Sequence, residues 1–244
     1  MIKGLKGILG FLTIIPVGRD VDLYETARSS WMFPIVGALI AFIAALIEDI
    51  SSYYFSAFIS SAIALFSLLV LTGFHHLDGL LDFGDALMYR GNVSERQKVL
   101  HDASIGVGGF VFGFFTLLFS YLAIVESYDV YIALIAAETS AKFSMVLGAY
   151  LGKPSHEGMG SIFVGISLWK VLTSFIIYIV LISLVIREAG LLILAVAVTI
   201  IFSTLMVRIS NRTLGGISGD VFGAMNELTR MIILLVLTWR WTPL

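Results

Sequence analysis

The chain has 244 residues, 59% hydrophobic and only 13% charged, with a net charge of −2 and a mean hydropathy of +0.99. A soluble domain carries about 25% charge, so this composition excludes an ordinary water-exposed globule and points to a single membrane domain over residues 1–244. The absence of cysteine excludes disulfides and thiolate metal sites, and the slightly acidic balance argues against general nucleic-acid binding.

Residues 4–15 carry apolar side chains at helical spacing beside Lys3 and Lys6, the pattern of an interfacial helix lying on the membrane. No small-residue cleavage site follows, so the start of the chain reads as mature protein. A bilayer core of ~30 Å needs about 20 mostly apolar residues per helix. Six stretches approach this, at 31–47, 55–73, 107–125, 130–151, 166–186 and 191–207. A seventh, 231–241, is short, ends in the interfacial residues Trp239 and Trp241, and has room to start earlier, near Val221. The expected fold is an all-α polytopic helical bundle with six or seven transmembrane helices and an N-terminal interfacial helix.

Lys and Arg alternate with the spans. They cluster before the first span, in 74–106, around 152–165 and in 208–230, and are absent from the loops after the first and third spans. By the positive-inside rule these basic segments face the cytoplasm. The chain is therefore expected in the cell membrane with its loop chemistry on the cytoplasmic side. No internal repeat is visible. Gly108, Gly109 and Gly113 would permit close helix contact and a homo-oligomer.

Asp78, Asp82 and Asp85 follow the second span at i, i+4 and i+7, which places them on one helical face. Three stacked anions repel unless a cation sits among them, and Mg²⁺ is bound by carboxylates with phosphate as a common co-ligand. Leu77, Leu80, Leu81, Phe83, Leu87 and Met88 make the segment amphipathic and partly buried, where carboxylates are functional by default. His76 is placed to hydrogen-bond a phosphate, whereas His75 reads as an interfacial residue. After the sixth span, Gly215-Gly-Ile-Ser-Gly219 forms a tight loop able to offer N–H groups to phosphate, followed by Asp220, Gly223 and Glu227 on one helical face with Asn226 and Arg230 beside it.

Weaker candidates surround these. Asp102 and Ser104 could face the site; Arg96 and Lys98 read as surface charges or as contacts to an anionic substrate. Glu138 and Lys142, one turn apart in the fourth span, are either a self-neutralising ion pair or a functional pair. His156, Glu157 and Ser161 lie in a polar loop.

Several elements in chain order closely resemble the cobalamin synthase family, the adenosylcobinamide-GDP ribazoletransferases. They are Phe11-Leu-Thr-Ile-Ile-Pro16, Phe33-Pro-Ile-Val-Gly37, His76-Leu-Asp78-Gly-Leu-Leu-Asp82, Asp102-Ala-Ser-Ile-Gly106 and Gly215-Gly-Ile-Ser-Gly-Asp220 through Asn226-Glu227. The resemblance implies a Mg²⁺-dependent transferase of cobalamin biosynthesis. It would join adenosylcobinamide-GDP to α-ribazole or its 5′-phosphate and release GMP, with membrane lipid around it. Carried over by position, Asp78, Asp82, Asp85 and Asp220 would hold the metal, and the first three would be catalytic. His76, Asp102, Asp220, Asn226 and Glu227 would bind substrate. The chain departs from the family pattern at Ser104, where a basic residue is common. A CDP-alcohol phosphotransferase would need the pattern Asp-x-x-Asp-Gly-x-x-Ala-Arg, which no Ala-Arg completes here, and an ion carrier would place its acids nearer mid-membrane and show a repeat.

Overall fold

In lipid, backbone N–H and C=O groups have no water to turn to, so apolar segments of this length satisfy them within helices. The computed structural model describes residues 2–18, 22–155 and 159–239, and these are helical throughout apart from turns and loops. The helices are α1 (Ile2–Leu12), α2 (Leu23–Arg28), α3 (Phe33–Ser52), α4 (Ala57–Leu71), α5 (His75–Met88), α6 (Val93–Val99), α7 (Val107–Val125), α8 (Val130–Leu151), α9 (Leu168–Val185), α10 (Ala189–Thr213) and α11 (Gly219–Thr238), with 3-10 turns at Ser30–Met32 and Met159–Phe163.

Six helices are long and apolar enough to cross a membrane: α3 with its preceding turn, α7, α8, α9, α10 and α11. The shorter α4 and α5 are long and apolar enough only as a pair, bent by 90° at the turn between them, and count as a seventh span when taken together. The chain is thus a multi-pass membrane protein. The seventh span begins at Gly219, well before 231, because Asp220, Asn226, Glu227 and Arg230 depress the hydropathy of a helix that is nonetheless inside the protein. Trp241 lies outside the described residues.

Burial sorts the helices. The spanning stretches of α8 and α11 are 78% and 72% buried, against 22% for α9 and 28% for α10, so α8 and α11 form the centre and α9 and α10 the lipid-facing rim. The N-terminal helix forms as expected, with Lys3 and Lys6 exposed; its inner face buries Ile8 and Leu12 in the protein core.

The turn between α4 and α5 sets up the site. Gly73 and Phe74 are both left-handed, at φ 63° and 60°. Glycine takes this conformation freely, whereas for phenylalanine it is uncommon and strained. The Phe74 N–H donates to the Leu69 carbonyl at 2.9 Å, closing the end of α4, and its ring packs on Phe66. The chain therefore turns sharply, and α5 lies across one end of the bundle against α7 and α11. The α1–α2 segment, α5 and α6, the 152–167 connection and the 214–218 loop all lie at that end. It is the end that carries the basic segments.

Candidate active site

The crossing of α5 and α11 depends on two glycines. A methyl group at Gly79 would fall 2.7 Å from Asp220 Cα, and one at Gly223 would fall 2.8 Å from the His76 carbonyl oxygen. Without side chains at either point the two backbones meet, and the two acidic motifs come together. A cavity of about 410 Å³ opens beside the crossing, lined by Phe11, His75, His76, Asp78, Gly219 and Asp220 among others. Asp78 is exposed and Asp220 half-buried. His76 is 7% exposed, and its Nδ1 has no hydrogen-bond partner in the protein. The N-terminal end of α11 also opens here, at Gly219, and adds positive potential.

Asp82 sits one turn beyond Asp78 on α5, just outside the lining of the cavity, and is half-buried. Its carboxyl is pushed up to about 7 by burial and then by the charges of Asp220, Asp78 and Asp85, in that order. Asp220 is the strongest of these charged neighbours, so the α11 acid lies within the field of the α5 cluster.

Asp85 has a different position. Its Oδ2 accepts from the Gly106 N–H at 2.7 Å and its Oδ1 from the Gly109 N–H at 2.9 Å. The carboxylate thus closes the N-terminus of α7, where free N–H groups and the helix dipole favour an anion. The spacing along α5 gave no sign of this, because the partners lie in another helix.

Asn226 and Glu227, expected to bind substrate, do not line the cavity. Both are fully buried between α8 and α11, in a network with Glu138, Lys142 and Arg230. Lys142 Nζ donates to Asn226 Oδ1 at 2.6 Å and to Glu138 Oε2 at 3.3 Å. Arg230 donates through Nε to Glu138 and through both terminal nitrogens to Glu227, a bidentate pair. Two acids and two bases balance, which lets four ionisable groups stay inside a membrane bundle. Lys142 and Arg230 lie within electrostatic reach of His76, so the network stands behind the cavity wall.

The remaining candidates are structural or peripheral. In the Gly215–Gly219 loop, the Gly216 N–H donates to Ser210 and the Ile217 N–H to Lys153 at 2.7 Å. The first bond ties the loop to the end of α10 and the second clamps the 152–155 segment to it, so neither N–H is offered to phosphate. Arg96 donates to the carbonyls of Ala86, Leu87 and Gly91, satisfying the end of α5. Asp102 is exposed and turns back on the Ser104 N–H at 2.9 Å, which holds its carboxyl below the usual range. It does not line the cavity. His156 and Glu157 lie outside the described residues. Sequence reasoning missed Phe11 as a wall of the cavity.

Among the described residues, no group of three or more His, Asp or Glu side chains is arranged as a ready-made metal site. The donor set suits an ion that takes one or two carboxylates and completes its shell with water and phosphate oxygens, the habit of Mg²⁺. Asp78 and Asp220 are placed for this, with Asp82 beside them.

The sequence model of cobalamin-5-phosphate synthase matches residues 4–238. The chain belongs to that family. An adenosylcobinamide-GDP ribazoletransferase of Halorubrum lacusprofundi is 34% identical over 99% of both chains. One from Pyrococcus abyssi is 33% identical over 96% of this chain and 97% of its own. One from Methanococcoides burtonii is 29% identical over 96% and 91%. No solved structure matches the chain.

Proposed function

We propose that the cavity between α5 and α11 transfers the cobinamide phosphoryl group of adenosylcobinamide-GDP to α-ribazole or its 5′-phosphate and releases GMP, a reaction consistent with the relatives' name, adenosylcobinamide-GDP ribazoletransferase. The observation that carries this reading is that Asp78 and Asp220, from two distant motifs, line one cavity. Asp78 and Asp220 would hold Mg²⁺, which when bound supplies positive charge to the diphosphate and to the departing GMP.

The chain's own groups have separate tasks. His76 presents a buried, unpartnered nitrogen to the phosphates. Asp82 takes the proton of the acceptor hydroxyl, because burial raises its proton affinity above that of an ordinary carboxylate, toward the range where a general base works. The acceptor oxygen bonds to the phosphorus that carries cobinamide, the anhydride bond to GMP breaks, and the proton ends on Asp82. The basic segments at this end of the bundle support a cavity open to the cytoplasm.

Asp82→Asn in the purified full chain is expected to lower GMP release by at least about a hundredfold while the protein stays folded in detergent. The wild type should lose activity as pH falls through the Asp82 value, which burial holds above the ordinary carboxylate range and which a cation at Asp78 and Asp220 brings below the ion-free figure of about 7. Full activity in Asp82→Asn would overturn the assignment.

A further inference from the structure

A second cavity, of about 350 Å³, opens at the same end of the bundle between α2 and the start of α9. Its polar lining is Tyr24, Arg28, Ser167 and Lys170, and among the described residues no acidic side chain lines it. Arg28 and Lys170 lie within each other's field. Neither makes an ion pair among the described residues, where the ion pairs all belong to the buried α8–α11 network. Two cations facing one cavity without a counterion repel each other, and an anion between them relieves that repulsion.

The backbone adds to the same field. Ser167 stands at the N-cap of α9 in extended conformation, yet its hydroxyl caps nothing. The Lys170 N–H donates to the Ser167 carbonyl, and the Leu168 and Trp169 N–H groups of this 18-residue helix remain as donors at its positive end. Guanidinium, ammonium and hydroxyl donors together match a phosphate.

The level of the cavity selects the source of that phosphate. Leu168 and Trp169, at the start of the α9 span, are exposed at 52% and 78%. An exposed tryptophan beside basic residues at a span end marks the headgroup layer. The pocket is also separate from the acidic cavity. Phe163 lies between the residues of the two, and its ring stacks on Phe11 with centroids 4.4 Å apart.

We propose that the Arg28–Lys170 pocket holds the phosphate of an anionic membrane lipid. The site is independent of the transferase reading, and its test uses no substrate.

The full chain would be reconstituted in nanodiscs of mixed phosphatidylcholine and phosphatidylglycerol, and the lipid retained after transfer to detergent would be measured by native mass spectrometry. The wild type should retain phosphatidylglycerol over phosphatidylcholine. The double variant R28Q/K170Q should lose that preference by about tenfold or more, while R28K/K170R keeps most of it. Size-exclusion elution shows whether each variant is folded. If R28Q/K170Q does not fold, protection of Lys170 from amine acylation by phosphatidylglycerol, but not by phosphatidylcholine, supplies the same reading in the wild type. An equal lipid profile in wild type and R28Q/K170Q would overturn the proposal. So would phosphatidylglycerol-free nanodiscs in which inorganic phosphate alone binds and is lost in the double variant, because the pocket would then serve a soluble anion.

Discussion

Gly79 of α5 lies against the backbone of Asp220 in α11, so closely that a single added methyl would come within 2.7 Å of Asp220 Cα. The neighbouring atoms are backbone and cannot swing away. Gly79→Ala must therefore part the two helices or distort them, at a cost of about 1–3 kcal/mol for overpacking. Asp78 and Asp82 would then move relative to Asp220. We expect GMP release to fall by about a hundredfold, the scale of an ångström-level misplacement, with the protein still inserted. Steady-state assays of the purified variant check this. Unchanged turnover would mean that the crossing does not set the site.

Asp85 makes a contrasting prediction. Its carboxylate accepts from two backbone N–H groups at the start of α7, and asparagine can accept with only one oxygen. Asp85→Asn should cost about 1–2 kcal/mol of stability through the lost cap and leave divalent-ion affinity near that of the wild type. Thermal unfolding and ion titration of the same preparation separate the two effects. A lost ion affinity without lost stability would return Asp85 to the metal set.

The buried network predicts non-additivity. Glu138 accepts from both Lys142 and Arg230. Glu138→Gln leaves positive charge uncompensated inside the bundle and should destabilise it by about 3–5 kcal/mol. Adding Lys142→Met removes the surplus charge and leaves the Arg230–Glu227 pair intact. The double variant should therefore be more stable than the sum of the single losses. Denaturation in detergent over a range of ionic strengths measures this, and little salt dependence is expected because the groups are shielded from solvent.

Hydropathy showed most of the crossings, and the alternation of Lys and Arg placed the polar loops at one end. Both signals are local, arising from runs of residues read in order. The α5 acids were legible for the same reason, since i, i+4 and i+7 fall on one face of a single helix. What the sequence concealed depends on contacts between helices. Asp85 looked like its two neighbours, yet its partners are Gly106 and Gly109 of α7. Glu227 is in phase with Asp220 on α11, but about two turns deeper it meets Arg230 and the α8 pair instead of the cavity. The true start of α11 was masked by those same polar residues, whose cost is offset only once the α8 partners are in place.

The central claim is that acids from α5 and α11 act on one cation, and Mn²⁺ binding to the full chain tests it most directly. Titrations followed by electron paramagnetic resonance would compare wild type, Asp78→Asn, Asp220→Asn and the double variant. If both carboxylates serve one ion, each single variant weakens binding strongly, and the double variant is weakened by clearly less than the product of the two effects. Strictly multiplicative losses, or a variant of either motif that binds Mn²⁺ as the wild type does, would contradict a shared site.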